Sequence, residues 1–181
     1  VFLKTNNKQG ARNAFFRAYK LNHDKKLQEE GLFHYAKLSY ELEFHAVALA
    51  AVQEFIKTYP QSPRLNEAKT LLGEVLLSTK NYKDAVNILE TIANKNQETK
   101  PVYQRVTYYR GLEFYNERAF ENSISMFLRS QNNAIDEETE ALATYWMAEA
   151  MYEVRKYGES VDQFEKFLSI PAAQKTDVYN Y

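Results

Sequence analysis

A small residue is followed nine positions later by an aromatic residue or His, and three later again by a second small residue. This spacing occurs four times: Ala36–His45–Ala48, Gly73–Tyr82–Ala85, Gly111–Phe120–Ser123 and Ala148–Tyr157–Ser160. Successive units begin 37, 38 and 37 residues apart. Self-similarity at a fixed period of this length marks a stacked-repeat architecture. Two antiparallel helices approach closely only where the facing side chains are small, and residues twelve apart across a tight turn serve that contact. The ring between them starts the second helix and covers the turn. Four residues beyond each second small residue stand Val52, Leu89, Phe127 and Phe164, and three later Phe55, Ile92, Ser130 and Phe167. This stripe is too large for one helix pair to bury alone, so the units must stack.

Spacings of three and four dominate throughout, and no alternating stretch competes as a strand. Ala11, Phe15, Ala18 and Tyr19 share one helical face, so 7–22 reads as the second helix of a repeat whose first helix is missing. Four helix pairs follow, in repeats at 27–60, 64–97, 101–134 and 137–171. Their expected helices are 27–42 with 45–59, 64–79 with 82–95, 101–117 with 120–132, and 137–155 with 158–169. Pro60, Ser62 and Pro63 separate the first two repeats; Asn81 suits an N-cap; Pro101 opens a helix; Asp136, Glu137 and Glu138 place negative charge at a helix N-terminus. Pro171 closes the last pair, and 172–181 reads as the start of another. The chain therefore reads as a segment of a longer array, with apolar stripes at both ends that favour self-association.

Composition narrows the function. Hydrophobic residues make up 45%, enough for a core, and only five Gly and four Pro argue for long helices. With 23 basic and 24 acidic residues the net charge is −1, which disfavours a nucleic-acid partner. Zero Cys removes disulfides, thiolate metal sites and Cys nucleophiles. No apolar run is long enough to insert in a membrane. His23, His34 and His45 stand eleven apart, but breaks near His23 and Phe44 keep them off one helix, so no metal site is expected. Glu29, Glu30, Glu137, Glu138 and Glu140 sit at helix starts as solvated carboxylates. No phosphate loop, nucleophile elbow or zinc-protease motif occurs, and neither an enzyme nor a cofactor is expected.

The pattern resembles the tetratricopeptide repeat family: small at the eighth position, aromatic at the seventeenth, small at the twentieth, large apolar at the twenty-fourth, and Pro near the thirty-second, here Pro60. It covers roughly 7–181. The fourth-position residue departs, being Leu32, Lys69, Thr107 and Thr144, and the period exceeds the usual 34 or so residues. The stretches ALAAVQEFIKTYPQSP and EAKTLLGEVLLSTKNYKDAV further resemble periplasmic members, of the outer-membrane assembly lipoprotein and Tol–Pal coordinator types.

The resemblance implies an all-α, right-handed superhelix of about four and a half helix–turn–helix repeats, and a non-catalytic scaffold for a protein or peptide. It also implies a periplasmic or envelope location. First helices of each repeat line a concave groove in the family. The matching positions are Phe33, Lys37, Tyr40 and Glu41; Thr70, Glu74 and Leu77; Arg105, Tyr108, Leu112, Tyr115 and Asn116; and Tyr145, Glu149, Tyr152 and Glu153. Tyr108, Tyr115, Tyr145 and Tyr152 would form an aromatic floor for a peptide. The alternative is that these rings pack between repeats, as expected for Tyr109 and Trp146, and that the segment is a rigid spacer. A glycan-binding floor is a third reading. The set that clamps a C-terminal carboxylate in the family is mostly lacking: Phe33, Lys37, Leu71, Arg105 and Tyr109 occupy its places, and only Arg105 carries the matching charge.

Overall fold

The computed structural model describes residues 7–21 and 24–180. Among the described residues all regular structure is helical: nine α-helices and two 3-10 turns. The chain divides into two compact units, Val1–Asn81 and Tyr82–Tyr181. The division falls at the turn inside the second expected repeat.

Unit one holds α1 (Lys8–Lys20), α2 (Lys25–Glu41), α3 (His45–Thr58) and α4 (Leu65–Ser78), each packed on the next. Asn7 caps α1, accepting the Gly10 N–H at 2.7 Å, and Asp24 caps α2 through the Lys26 and Leu27 N–H groups. Leu32, Phe33, Ala36, Ala48, Val52, Phe55, Ala68 and Val75 are at most 1% exposed. Each large member of this set contributes about 1.5–3 kcal/mol through burial. Phe33 and Phe55 meet edge to face at 5.4 Å. A Cβ on Gly31 would lie 2.7 Å from the Tyr19 nitrogen and 3.0 Å from the Phe15 oxygen, so α2 rests on the α1 backbone there.

Unit two holds α5 (Tyr82–Glu90), α6 (Thr99–Asn116), α7 (Phe120–Gln131), α8 (Glu137–Glu153) and α9 (Tyr157–Ser169), then 3-10 turns at Pro171–Lys175 and Asp177–Asn180. Tyr108, Phe127, Ala143, Met147 and Met151 form one buried cluster, and Ala141, Phe167 and Ala173 another. Gln104 is wholly buried. Its amide oxygen accepts the Ile135 and Asp136 N–H groups at 3.0 and 2.9 Å, and its nitrogen donates to the Asp136 carbonyl at 2.8 Å. A buried amide satisfied in this way fixes α6 to the turn before α8. Asp136 in turn caps α8 through the Thr139 N–H at 2.7 Å.

The twelve-residue pairs work differently in different helices. In unit one Ala36 and Ala48 are both fully buried, with no polar atom on either side chain. In unit two the Ser123 hydroxyl donates to the Gly111 carbonyl, and the Ser160 hydroxyl to the Ala148 carbonyl, each at 2.9 Å.

One turn recurs with the repeat. Glu43, Lys80, Arg118 and Arg155 have φ of 63°, 60°, 59° and 63°, in the left-handed region. Each lies two residues past the end of α2, α4, α6 or α8. The following N–H reaches back five residues: Phe44 to Ser39, Asn81 to Leu76 and Ala119 to Phe114 at 2.8 Å, and Lys156 to Met151 at 2.9 Å. These are Schellman caps built without glycine, and a left-handed non-glycine residue costs about 1–2 kcal/mol.

Three local expectations are corrected. The helix expected over 82–95 ends at Glu90: the Thr91 and Ile92 N–H groups bond three residues back, the Thr91 hydroxyl takes the Ile88 carbonyl at 2.7 Å, and Ile92 turns inward to 1% exposure. α6 begins at Thr99, before Pro101, because the Asn96 side chain accepts the Glu98 and Thr99 N–H groups. Past Pro171 two 3-10 turns replace the expected helix, tucking Ala172 and Ala173 into the core. The expected end of the first helix at 22, and His23, lie outside the described residues.

Candidate functional site

In unit one the expected groove positions are occupied by packing and ion pairs. Phe33 is a core residue at 1% exposure, lying beneath the Arg64 guanidinium 4.9 Å from its ring, so it cannot face a partner. Arg64 pairs with Glu30 at 3.1 Å and Glu67 at 3.2 Å, and Lys37 also reaches Glu67 at 3.2 Å. Thr70 and Leu77 are buried, with the Thr70 hydroxyl returned to the Asn66 carbonyl. Tyr40 is half-buried against His45, ring centroids 5.9 Å apart, and Glu74 is half-buried. Glu41 is exposed and pairs with Lys8 at 2.8 Å. His34 stacks on Phe15 at 4.8 Å, and its pKa is held below the usual value by burial first and then by the Arg64 charge.

Unit two gathers aromatic rings on α6 and α8. Trp146 is the hub: Tyr115 meets it at 5.1 Å and Tyr145 at 5.4 Å, both edge to face, and it packs against the buried cluster that holds Tyr108. Tyr115, Tyr145 and Trp146 are half-buried, leaving part of each ring open. Tyr108 is only 7% exposed and belongs to the core, which corrects its expected place on the floor. Burial pushes its hydroxyl pKa up to about 12. Tyr115 is also raised, by burial and then by the Glu149 and Glu153 charges. Tyr152 is not part of this cluster; it is 58% exposed and contacts Tyr157 of α9 at 5.3 Å. Arg105 and Asn116 are exposed, Leu112 packs half-buried on the core, and Glu153 pairs with Arg118 at 3.8 Å. Tyr109, expected to be buried, is 38% exposed and stacked on Tyr82 at 5.2 Å.

Each unit also has a cavity. That of unit one, about 340 Å³, is walled by Phe16, Tyr19, Tyr35 and the small residues of α3, with Lys20 and Glu54 at its edge. That of unit two, about 320 Å³, is walled by Tyr145, Phe164, Phe167, Leu168, Val178 and Tyr179, with Glu149. No group of three or more His, Cys, Asp or Glu side chains suited to a metal occurs among the described residues, and no helix there is long and apolar enough to cross a membrane.

No protein-family model and no curated protein matches the chain. Solved structures do. A MamA double mutant (RS-1 ArsTM) aligns with TM-score 0.62 at 20% identity, covering 97% of this chain and 92% of that one. MamA 41-end from Desulfovibrio magneticus RS-1 aligns with TM-score 0.59 at 19% identity over the same shares. A kinesin light chain from Podosopora anserina with nearly identical TPR-like repeats aligns with TM-score 0.57 at 10% identity, again over 97% and 92%.

The fold is a tetratricopeptide-like helical repeat.

Within this TPR-like fold the first-helix positions divide sharply. Position in the repeat points Phe33, Thr70, Leu77 and Tyr108 at a groove, but all four are buried in the core. Position in the repeat does not mark Trp146 or the cavity walls Phe164, Phe167 and Tyr179. The stripe through Phe164 and Phe167 was visible as apolar spacing, but its meeting with Tyr179 depends on the turns after Pro171, which carry no periodic signal.

Proposed function

We propose that this TPR-like chain is a non-catalytic scaffold that holds a peptide or protein segment against α6 and α8 of unit two. The observation that carries the reading is the Trp146 hub, which assembles Tyr115 and Tyr145 into one partly open aromatic surface beside the Glu149 carboxylate. Rigid rings with few rotatable bonds supply contact area at low entropic cost, and a hydroxyl or indole adds direction. Arg105 and Tyr152 are exposed on the same two helices, α6 and α8. The short resemblance of 48–86 to periplasmic family members supports an envelope location as part of the same proposal, which fractionation of the intact protein tests.

The deciding experiment is affinity capture with the intact protein and a Tyr115→Ala/Tyr152→Ala version of equal helicity. A partner held by the first and lost by the second supports the surface. Equal capture, or none, favours a rigid spacer.

A further inference from the structure

The two cavities share their ingredients but not their filling. In unit one, the Lys20 ammonium lies 4.4 Å from the Tyr19 ring centroid and 5.6 Å from that of Phe16. It donates to the Tyr19 hydroxyl, which itself donates to Glu54. Rings, carboxylate and cation are all supplied by the chain. In unit two, Tyr145 meets Phe164 at 5.7 Å and Phe167 at 5.4 Å, and Tyr179 meets Phe167 at 6.2 Å. Glu149 supplies the carboxylate, half-buried at the cavity edge. No lysine or arginine lines this cavity, and Glu149 has no ion-pair partner among the described residues. Lys166 of α9 is engaged elsewhere, donating to Gln131 at 3.0 Å.

We infer that the unit-two cavity is an aromatic cage for an alkylammonium group, filled by a lysine side chain of the bound partner. Ring faces attract a cation through their quadrupole, and a carboxylate beside them adds charge complementarity. The cage favours lysine over arginine in shape: an ammonium is compact and sits at the end of an apolar stem, which Leu168 and Val178 would flank, whereas a guanidinium is a flat fork that stacks on an open ring. The inference rests on the proposed scaffold surface for two of its walls, Tyr145 and Glu149, and adds Phe164 and Tyr179 to it, with the buried Phe167 ring beneath them.

The test needs no knowledge of the partner. The intact protein is titrated with N-acetyl-lysine methylamide, its trimethyl-lysine, arginine and norleucine counterparts, and followed by Tyr and Phe ring NMR signals. Both ammonium probes are expected to bind at about millimolar strength and to shift the Tyr145 and Tyr179 rings, with norleucine silent and arginine weaker. Glu149→Gln and Tyr179→Ala should each weaken the lysine probe roughly tenfold. The Glu165→Gln change, exposed on α9 and outside the cavity, should not. Norleucine binding as well as lysine, arginine binding better, or lysine binding unmoved by both variants would overturn the cage. That failure is distinct from failure of the scaffold reading, which is scored by capture of the partner with the Tyr115→Ala/Tyr152→Ala version.

Discussion

Units one and two are each built of packed helix pairs, and their surface chemistry differs. In unit one Arg64, Glu30, Glu67 and Lys37 close ion pairs over Phe33, and the chain's own Lys20 covers the rings of its cavity. In unit two the same kind of surface carries Tyr115, Tyr145 and Trp146, and the Glu149 carboxylate has no ion-pair partner among the described residues. The difference teaches that repeat geometry and recognition chemistry occupy different positions. Small residues and the apolar stripe fix how helices pack; the outward positions of α2, α6 and α8 remain free to close on themselves or to stay open.

The largest test of this contrast is at two close-approach glycines, Gly31 and Gly111. A Cβ on Gly31 would strike main-chain atoms of α1, which cannot swing aside, whereas on Gly111 it would strike the Phe127 ring at 2.6 Å, which can adjust at the expense of the core. Gly31→Ala is expected to lower stability by about 3 kcal/mol and Gly111→Ala by about 1–2 kcal/mol. Urea unfolding followed by circular dichroism measures both, and equal losses would break the distinction between a backbone and a side-chain contact.

The recurring left-handed turn offers a gain instead. Glu43→Gly is expected to stabilise by about 1 kcal/mol, because glycine adopts this conformation without the Cβ penalty. Arg118→Gly should gain roughly half as much, since it also removes the guanidinium 5.5 Å from the Phe120 ring and its pair with Glu153. Thermal melts should show the first variant shifted upward by about 2–4 °C; no shift would mean that the Glu43 turn is not strained.

The smallest effect is in alkaline titration. Tyr19 in unit one and Tyr108 in unit two both reach about 12, the first chiefly through its hydrogen bond to Glu54 and the second through burial. A raised pKa means that the folded state favours the protonated hydroxyl. Its contribution is therefore complete below about pH 10, the ordinary tyrosine value, and lost as pH rises through 12. Glu54→Gln should bring Tyr19 down toward the ordinary value and leave Tyr108 unchanged, read from the tyrosine ring-carbon NMR shifts. A Tyr19 that does not move would assign its shift to burial too.

Periodicity alone made the fold class legible. The twelve-residue pairs and the stripe through Val52, Phe55, Leu89, Ile92, Phe127, Phe164 and Phe167 record a contact that every repeat must make, so they survive as pattern. The exposure of the candidate positions was less legible. Of the positions the resemblance names, Tyr115, Tyr145 and Glu149 are half-buried, whereas Phe33 and Tyr108 are in the core, because one helical face position differs from the next by a fraction of a turn and burial is decided by the neighbour packed against it. Ser123 and Ser160 read as merely small; their hydroxyls in fact bond the carbonyls of Gly111 and Ala148.

By itself, then, the amino-acid order determined an all-α repeat, since helix propensity, small-residue spacing and apolar stripes are local properties repeated along the chain. Tertiary structure decided what repetition does not encode. It turned Trp146 into a hub and bent 171–180 into two 3-10 turns that bring Tyr179 to Phe167. Each of these depends on a contact between residues distant in sequence, whose partners no period specifies.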